Sequence, residues 1–242
     1  MLRGVQWDKM APVLVDVRYV LVRSVLAAAI GGAVSFVFAR KLLFELSRHF
    51  NVHLYYYNLS EVFFASVEIA VYCGVFISVP FIAALAWWKF RSVMKGKVTS
   101  VYLFAVFSIV LFYLGTIFCY IVALPSGVAF LLSYQNAVIK AMMSTERFVG
   151  FCITMIFAFG AAFELPVVLL LLGKMGLVTS RVLSRTRRYA VLIIVIAASI
   201  ITPTPDIYNM ALMAVPLYVL YEIGIVLLRI GERNLTGQNK SV

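Results

Sequence analysis

Apolar residues run in long unbroken blocks, and polar residues gather between them. Six blocks stand out, at 19–38, 62–88, 101–124, 151–172, 189–201 and 207–230. A helix needs about 20 apolar residues to cross the hydrocarbon core of a bilayer. Six spans are therefore expected, of which the fifth, 13 residues long, is too short for a full crossing. Thr202-Pro203-Thr204-Pro205-Asp206 ends it sharply, because proline cannot continue a helix. The last two blocks read as a short hairpin that locally thins the membrane. Pro125 is expected to end the third block, with 126–144 a mixed loop. Lys89, Arg91, Lys95 and Lys97 mark an acid-free basic loop at 89–100, and a second basic loop covers 174–188. The expected organisation is an amphipathic N-terminal tail at 1–18, a membrane domain at 19–230 and a polar, disordered tail at 231–242.

Composition agrees with this pattern. The 242 residues are 64% hydrophobic, and the mean hydropathy is +1.01. A soluble domain is nearer half apolar, so the class is an all-α polytopic membrane protein. Lys and Arg number 21 against 10 acids. In a soluble chain that excess would suggest nucleic acid, but no such motif is present and the charges sit between apolar blocks, as topology determinants do. Threading six spans puts 16 basic residues on one side and 5 on the other. The positive-inside rule then places both termini inside. Tyr55, Tyr56 and Tyr57, and Trp87 with Trp88, suit the two interfaces.

The charge that matters most is Glu164, alone within the fourth block. An acid at such depth carries a penalty of about 2.5–3.5 kcal/mol on insertion scales. Gly160 and Ala161 precede it by four and three residues, so all three share a helix face, and small residues let a second helix approach. Pro166 should loosen the helix near Ala162. The set reads as an acidic docking point for another helix, or as an acid paired within its own bundle.

Enzymatic chemistry finds no footing. Neither His49 nor His53 lies in a span, and the aspartates, Asp8, Asp16 and Asp206, all lie at span ends or in the tail. There is no HExxH helix and no Gly-rich phosphate loop. His49 and His53 are one helical turn apart, but with Glu45 the one nearby acid they fall short of a metal ligand set. No metal or other cofactor is expected. Cys73, Cys119 and Cys152 sit in apolar blocks and read as reduced packing residues. What is left is binding, gating, or work driven from outside. A proton-coupled small-solute carrier using Glu68, Glu164 and Glu222, and a structural subunit of a respiratory or assembly complex, are the competing classes.

Four stretches in order resemble the TatC family, the multispanning receptor subunit of the twin-arginine protein translocase. They are LFYLGTIFCYIVALP at 111–125, FAFGAAFELPVVLLLL at 157–172, RRYAVLIIVIAASIITPTPD at 187–206 and MAVPLYVLYEIGI at 213–225. Weaker matches are VLVDVRYVL at 13–21 and SEVFFASV at 60–67. The resemblance implies six transmembrane helices in a concave, glove-like bundle with short fifth and sixth spans. It implies binding of signal peptides of folded cargo, recruitment of single-span TatA- or TatB-like subunits, homo-oligomers, and transport driven by the proton-motive force. By resemblance Glu164 faces the concave side, with Gly160 and Pro166 in its motif. Asp16 and Arg18 match the signal-recognition region. Glu61, Phe63, Pro80, Asp206 and Glu222 match recurring positions, and Thr202 opens the turn before Asp206. Three departures bear on the role. The turn reads TPTPD, one residue longer than the family's TPPD. Met210 stands where a Gln is common. The 89–100 loop lacks the family's signal-binding acid, so strictly paired arginines are not expected in the signal. This erosion, with a Phe- and Tyr-rich composition, resembles an organelle-encoded member of the mitochondrial inner membrane, with a bacterial inner membrane or thylakoid as alternatives.

Overall fold

The computed structural model describes residues 7–50, 54–55, 58–94, 98–133, 143–201 and 207–238. The helices are α1 (Trp7–His49), α2 (Leu59–Met94), α3 (Val98–Phe118), α4 (Leu124–Ser133), α5 (Thr145–Phe163), α6 (Leu165–Lys174), α7 (Ser180–Arg185), α8 (Arg187–Ile201) and α9 (Ile207–Gln238). Two two-residue strands, β1 (Leu54–Tyr55) and β2 (Met143–Ser144), pair in parallel. Among the described residues five stretches are long and apolar enough to cross a membrane: Val22–His49, Ser60–Leu85, Tyr102–Phe130, Thr145–Lys174 and Met210–Glu232. The chain divides into two compact units, Met1–His49 with Tyr56–Ile109, and Phe50–Tyr55 with Val110–Val242.

In the first unit α1 and α2 lie antiparallel. A Cβ on Gly31 would stand 3.1 Å from the Gly74 Cα, and one on Gly32 would stand 3.3 Å from the Ala70 carbonyl oxygen. A Cβ on Gly74 would overlap the Ala28 carbonyl and the Gly32 amide. In lipid there is little hydrophobic drive between helices, so close backbone approach through small residues supplies the packing. Ala39 and Ala65 are likewise fully buried. Ser78 spends its hydroxyl on the Gly74 carbonyl at 2.6 Å, and Pro80 is carried inside an uninterrupted α2.

The second unit packs around α5. Phe118 stacks at 5.8 Å on both Phe159 and Phe163, and Phe159 is fully buried. A Cβ on Gly115 would lie 2.7 Å from the Phe159 carbonyl oxygen. The short β pairing is tied to α5 by Thr145, whose hydroxyl donates to the Tyr55 carbonyl at 3.2 Å.

Several boundaries differ from the sequence expectation. Pro125 does not end the third span. A π-helical turn, Cys119–Ala123, precedes it, closed by the Leu124 amide donating to the Cys119 carbonyl. The wider turn accommodates a residue that lacks an N–H and crowds the carbonyl four residues back, and α4 continues to Ser133. The 89–100 stretch is mostly helical, because α2 runs to Met94 and α3 starts at Val98. α1 starts at Trp7, inside the expected tail, and continues as one helix through Arg40 to His49. The C-terminal tail is helical to Gln238, and α9 is one 32-residue helix. The last of the five apolar stretches, Met210–Glu232 at 23 residues, is therefore long enough for a full crossing. α8, at 15 residues, is about 22 Å long at the α-helical rise, short of a full crossing.

Candidate functional site

Glu164 stands at a break in the fourth span. It caps the end of α5 and the start of α6 with φ −71° and ψ −9°. Its amide reaches back three residues to the Ala161 carbonyl at 3.1 Å, and its carbonyl accepts from the Val168 amide at 3.0 Å. The cause is Pro166, in the first turn of α6, which has no N–H to give Ala162. The break is held from both sides. Pro166 is fully buried, and a Cβ on Gly224 of α9 would lie 3.3 Å from the Pro166 Cα. Gly160 is buried, and a Cβ there would lie 2.7 Å from the Phe112 ring of α3.

This corrects one expectation. Gly160 does not offer its small surface to an incoming helix, because Phe112 already fills it. Ala161 is exposed and Glu164 is half-buried, so the accessible part of the face is those two residues.

Glu222 is engaged within the α8–α9 hairpin. Arg187 Nε lies 2.8 Å from its Oε1, Arg187 Nη2 lies 2.9 Å from Oε2, and the Tyr218 hydroxyl donates to Oε1 at 3.0 Å. A two-point guanidinium–carboxylate contact is geometrically strict. The second basic loop is tied to α9 by further contacts. Glu232 accepts from the Ser180 amide at 2.8 Å and from its hydroxyl, and the buried Tyr221 hydroxyl donates to the Leu183 carbonyl at 2.9 Å. Arg187, Tyr218 and Glu232 were not singled out in the sequence. Arg187 had a usable sign: it and Glu222 lie symmetrically about the proline turn, as do Ser199 and Met210, which meet at 3.2 Å.

The remaining positions belong mostly to the first unit. Asp16 and Arg18 lie on α1, and Arg18 is exposed. Glu61 is in the first turn of α2, its amide bonded to the Asn58 carbonyl at 3.0 Å. Phe63 is 57% exposed and meets Phe64 edge-on at 5.8 Å. Thr202 and Asp206 lie outside the described residues, as does His53. Asp16, Arg18, Glu61, Phe63 and Pro80 thus fall in one unit, and Gly160, Glu164, Pro166 and Glu222 in the other.

A family model described as Sec-independent protein translocase protein (TatC) matches residues 12–216. The chain belongs to the TatC family. TatC from Desulforapulum autotrophicum is 33% identical over 219 residues, 87% of this chain and 80% of the relative. TatC from Aquifex aeolicus is 32% identical over 227 residues, 90% of this chain and 93% of the relative. A tatC-like protein, ycf43, from Pyropia yezoensis is 34% identical over 169 residues, 69% of this chain and 66% of the relative. A crystal structure of a twin-arginine translocase receptor, TatC, matches with a TM-score of 0.78 at 31% identity, covering 90% of this chain and 98% of that one. The all-helical, polytopic membrane fold is therefore that of TatC. Of the positions discussed, those from Asp16 to Asp206 lie inside the range matched by the family model, and Glu222 lies beyond it.

Proposed function

We propose that this TatC-family chain is the receptor subunit of a Sec-independent protein translocase. It binds signal peptides of folded cargo and recruits single-span TatA- or TatB-like subunits, with transport driven by the proton-motive force. The observation that carries this reading is Glu164, a half-buried acid fixed at a helix break inside an apolar span. Such an acid is expensive to keep in lipid, and the Gly160 and Pro166 contacts hold the break at which it stands. Glu164 with exposed Ala161 forms the docking point, and Asp16 orients the signal from the inside face, with Arg18 two residues further along α1. Glu61, Phe63, Pro80, Thr202 and Asp206 shape the remaining signal and partner contacts, and Glu222 holds the hairpin through Arg187. With the 89–100 stretch free of acids, the apolar segment of the signal is read more strongly than its arginines.

Six crossings with both termini inside, α8 completing the count as a partial span, follow from the distribution of basic residues. The short α8 and a concave face near Glu164 belong to the same reading, as does assembly into homo-oligomers. The membrane is the mitochondrial inner membrane, with bacterial inner and thylakoid membranes as alternatives that fractionation separates. The test is a photo-reactive residue at Ala161 in membranes supplied with cargo. Cross-links to a signal peptide or single-span protein should form and should vanish in Glu164→Ala, with membrane insertion unchanged. Cross-links indifferent to Glu164, or purification of the chain with no such partner, would refute the reading.

A further inference from the structure

The first unit carries a groove that shares Phe63 with the proposed signal and partner contacts and whose other lining residues that role leaves unassigned. Its walls are Phe36, Val37 and Arg40 of α1 and Val62, Phe63 and Ser66 of α2, enclosing about 670 Å³. Each helix contributes the same spacing, residues i, i+1 and i+4, so each wall is one helix face. Phe36, Val37 and Phe63 are 45%, 77% and 57% exposed. Arg40 is exposed, and among the described residues it makes no hydrogen bond, ion pair or ring contact. Glu61 precedes Val62 but does not line the groove.

We propose that this groove binds one phospholipid with an anionic headgroup, its phosphate on Arg40 and an acyl chain along Phe36, Val37 and Phe63. Depth, charge and size each point there. Arg40 is the first charge after the apolar block 19–38, which sets it at headgroup level while the apolar walls face the chain region. A basic residue in a cleft between transmembrane helices is suited to an anionic headgroup, and the guanidinium matches phosphate with two parallel donors. The Ser66 hydroxyl already donates to the Val62 carbonyl at 2.7 Å, so Arg40 supplies the positive charge in the groove. The volume falls in the usual range for small-ligand sites.

The experiment is native mass spectrometry of the full chain in detergent, titrated with phosphatidylglycerol or phosphatidylcholine of identical acyl chains. The wild type should retain phosphatidylglycerol about fivefold better, the effect of one basic residue near an anionic surface. Arg40→Gln should remove that preference. Phe63→Ala should weaken retention of both lipids. Lys41→Gln, one position away and outside the groove, should leave the preference intact. Equal retention of the two lipids by the wild type, or equal losses in Arg40→Gln and Lys41→Gln, would overturn the proposal and leave only annular lipid. A thiol cross-linker on Val37→Cys that captures a protein segment instead of lipid would overturn it too. None of these outcomes depends on translocation.

Discussion

Arg187 grips Glu222 at two points across the α8–α9 hairpin, at 2.8 Å and 2.9 Å. The acid is the better sheltered partner, at 28% exposure against 48% for the arginine. An acid inside an apolar helix otherwise carries a large penalty, so the pair also explains how Glu222 is tolerated in α9. Removing either partner, as Arg187→Gln or Glu222→Gln, should loosen α8 on α9. The coupling in a double-mutant cycle should be about 1 kcal/mol, the upper end for pairs in contact with solvent. Denaturant unfolding in detergent measures it. Strictly additive losses would mean the contact contributes nothing.

The sequence alone carried much of this fold, and the exceptions have physical causes. Pro166 announced the break at Glu164, because the clash of proline with the preceding turn is local and unavoidable. Pro125 misled for the same reason: the π-helical turn at Cys119–Ala123 absorbs the clash, and nothing local in the sequence marks such a turn. The tail beyond Ile230 reads as polar and disordered. Its helix is anchored by Glu232 on Ser180, 52 residues away, a tertiary contact that no local pattern encodes. Gly160 lies on the helix that the apolar pattern predicts, but periodicity does not say whether its neighbour is a partner or Phe112 of the same chain.

Gly74 should be the least replaceable residue of the first unit. A Cβ there would overlap backbone atoms of Ala28 and Gly32, and backbone cannot swing aside as a side chain can. Gly74→Ala should therefore push α1 from α2 and destabilise the protein by about 1–3 kcal/mol, the range for overpacking. Thermal unfolding in detergent checks this against Gly231→Ala, where a Cβ meets nothing within 4 Å. Similar melting of the two variants would show that the helices are not held by this contact.

Gly160 and Glu164 should separate folding from docking, although they lie one turn apart. Gly160→Ala drives a methyl into the Phe112 ring and should destabilise the second unit by about 1–3 kcal/mol. Glu164→Ala removes an acid that is costly in lipid, so it should insert and melt as the wild type does while losing partner cross-links. Both properties are measured on the same preparations. A Glu164→Ala protein that unfolds like Gly160→Ala would make the acid a structural residue.

α8 should leave water-exposed positions deeper than a full span allows. It has 15 residues, about 22 Å of helix against a hydrocarbon core of about 30 Å. The deficit has to be met by local thinning of the bilayer around the hairpin. Neighbouring residues near its end differ sharply: Ser199 is exposed, whereas Ala198 is fully buried. Ser199 also touches Met210 of α9, so it reports on the hairpin itself. With Cys73 replaced by Ser, and with Cys119 and Cys152 fully buried, single cysteines at 198 and 199 can be probed with a membrane-impermeant thiol reagent. Ser199→Cys should label readily and Ala198→Cys slowly. If both are protected, and labelling starts only beyond the proline turn, the bilayer is of normal thickness there and α8 is buried whole.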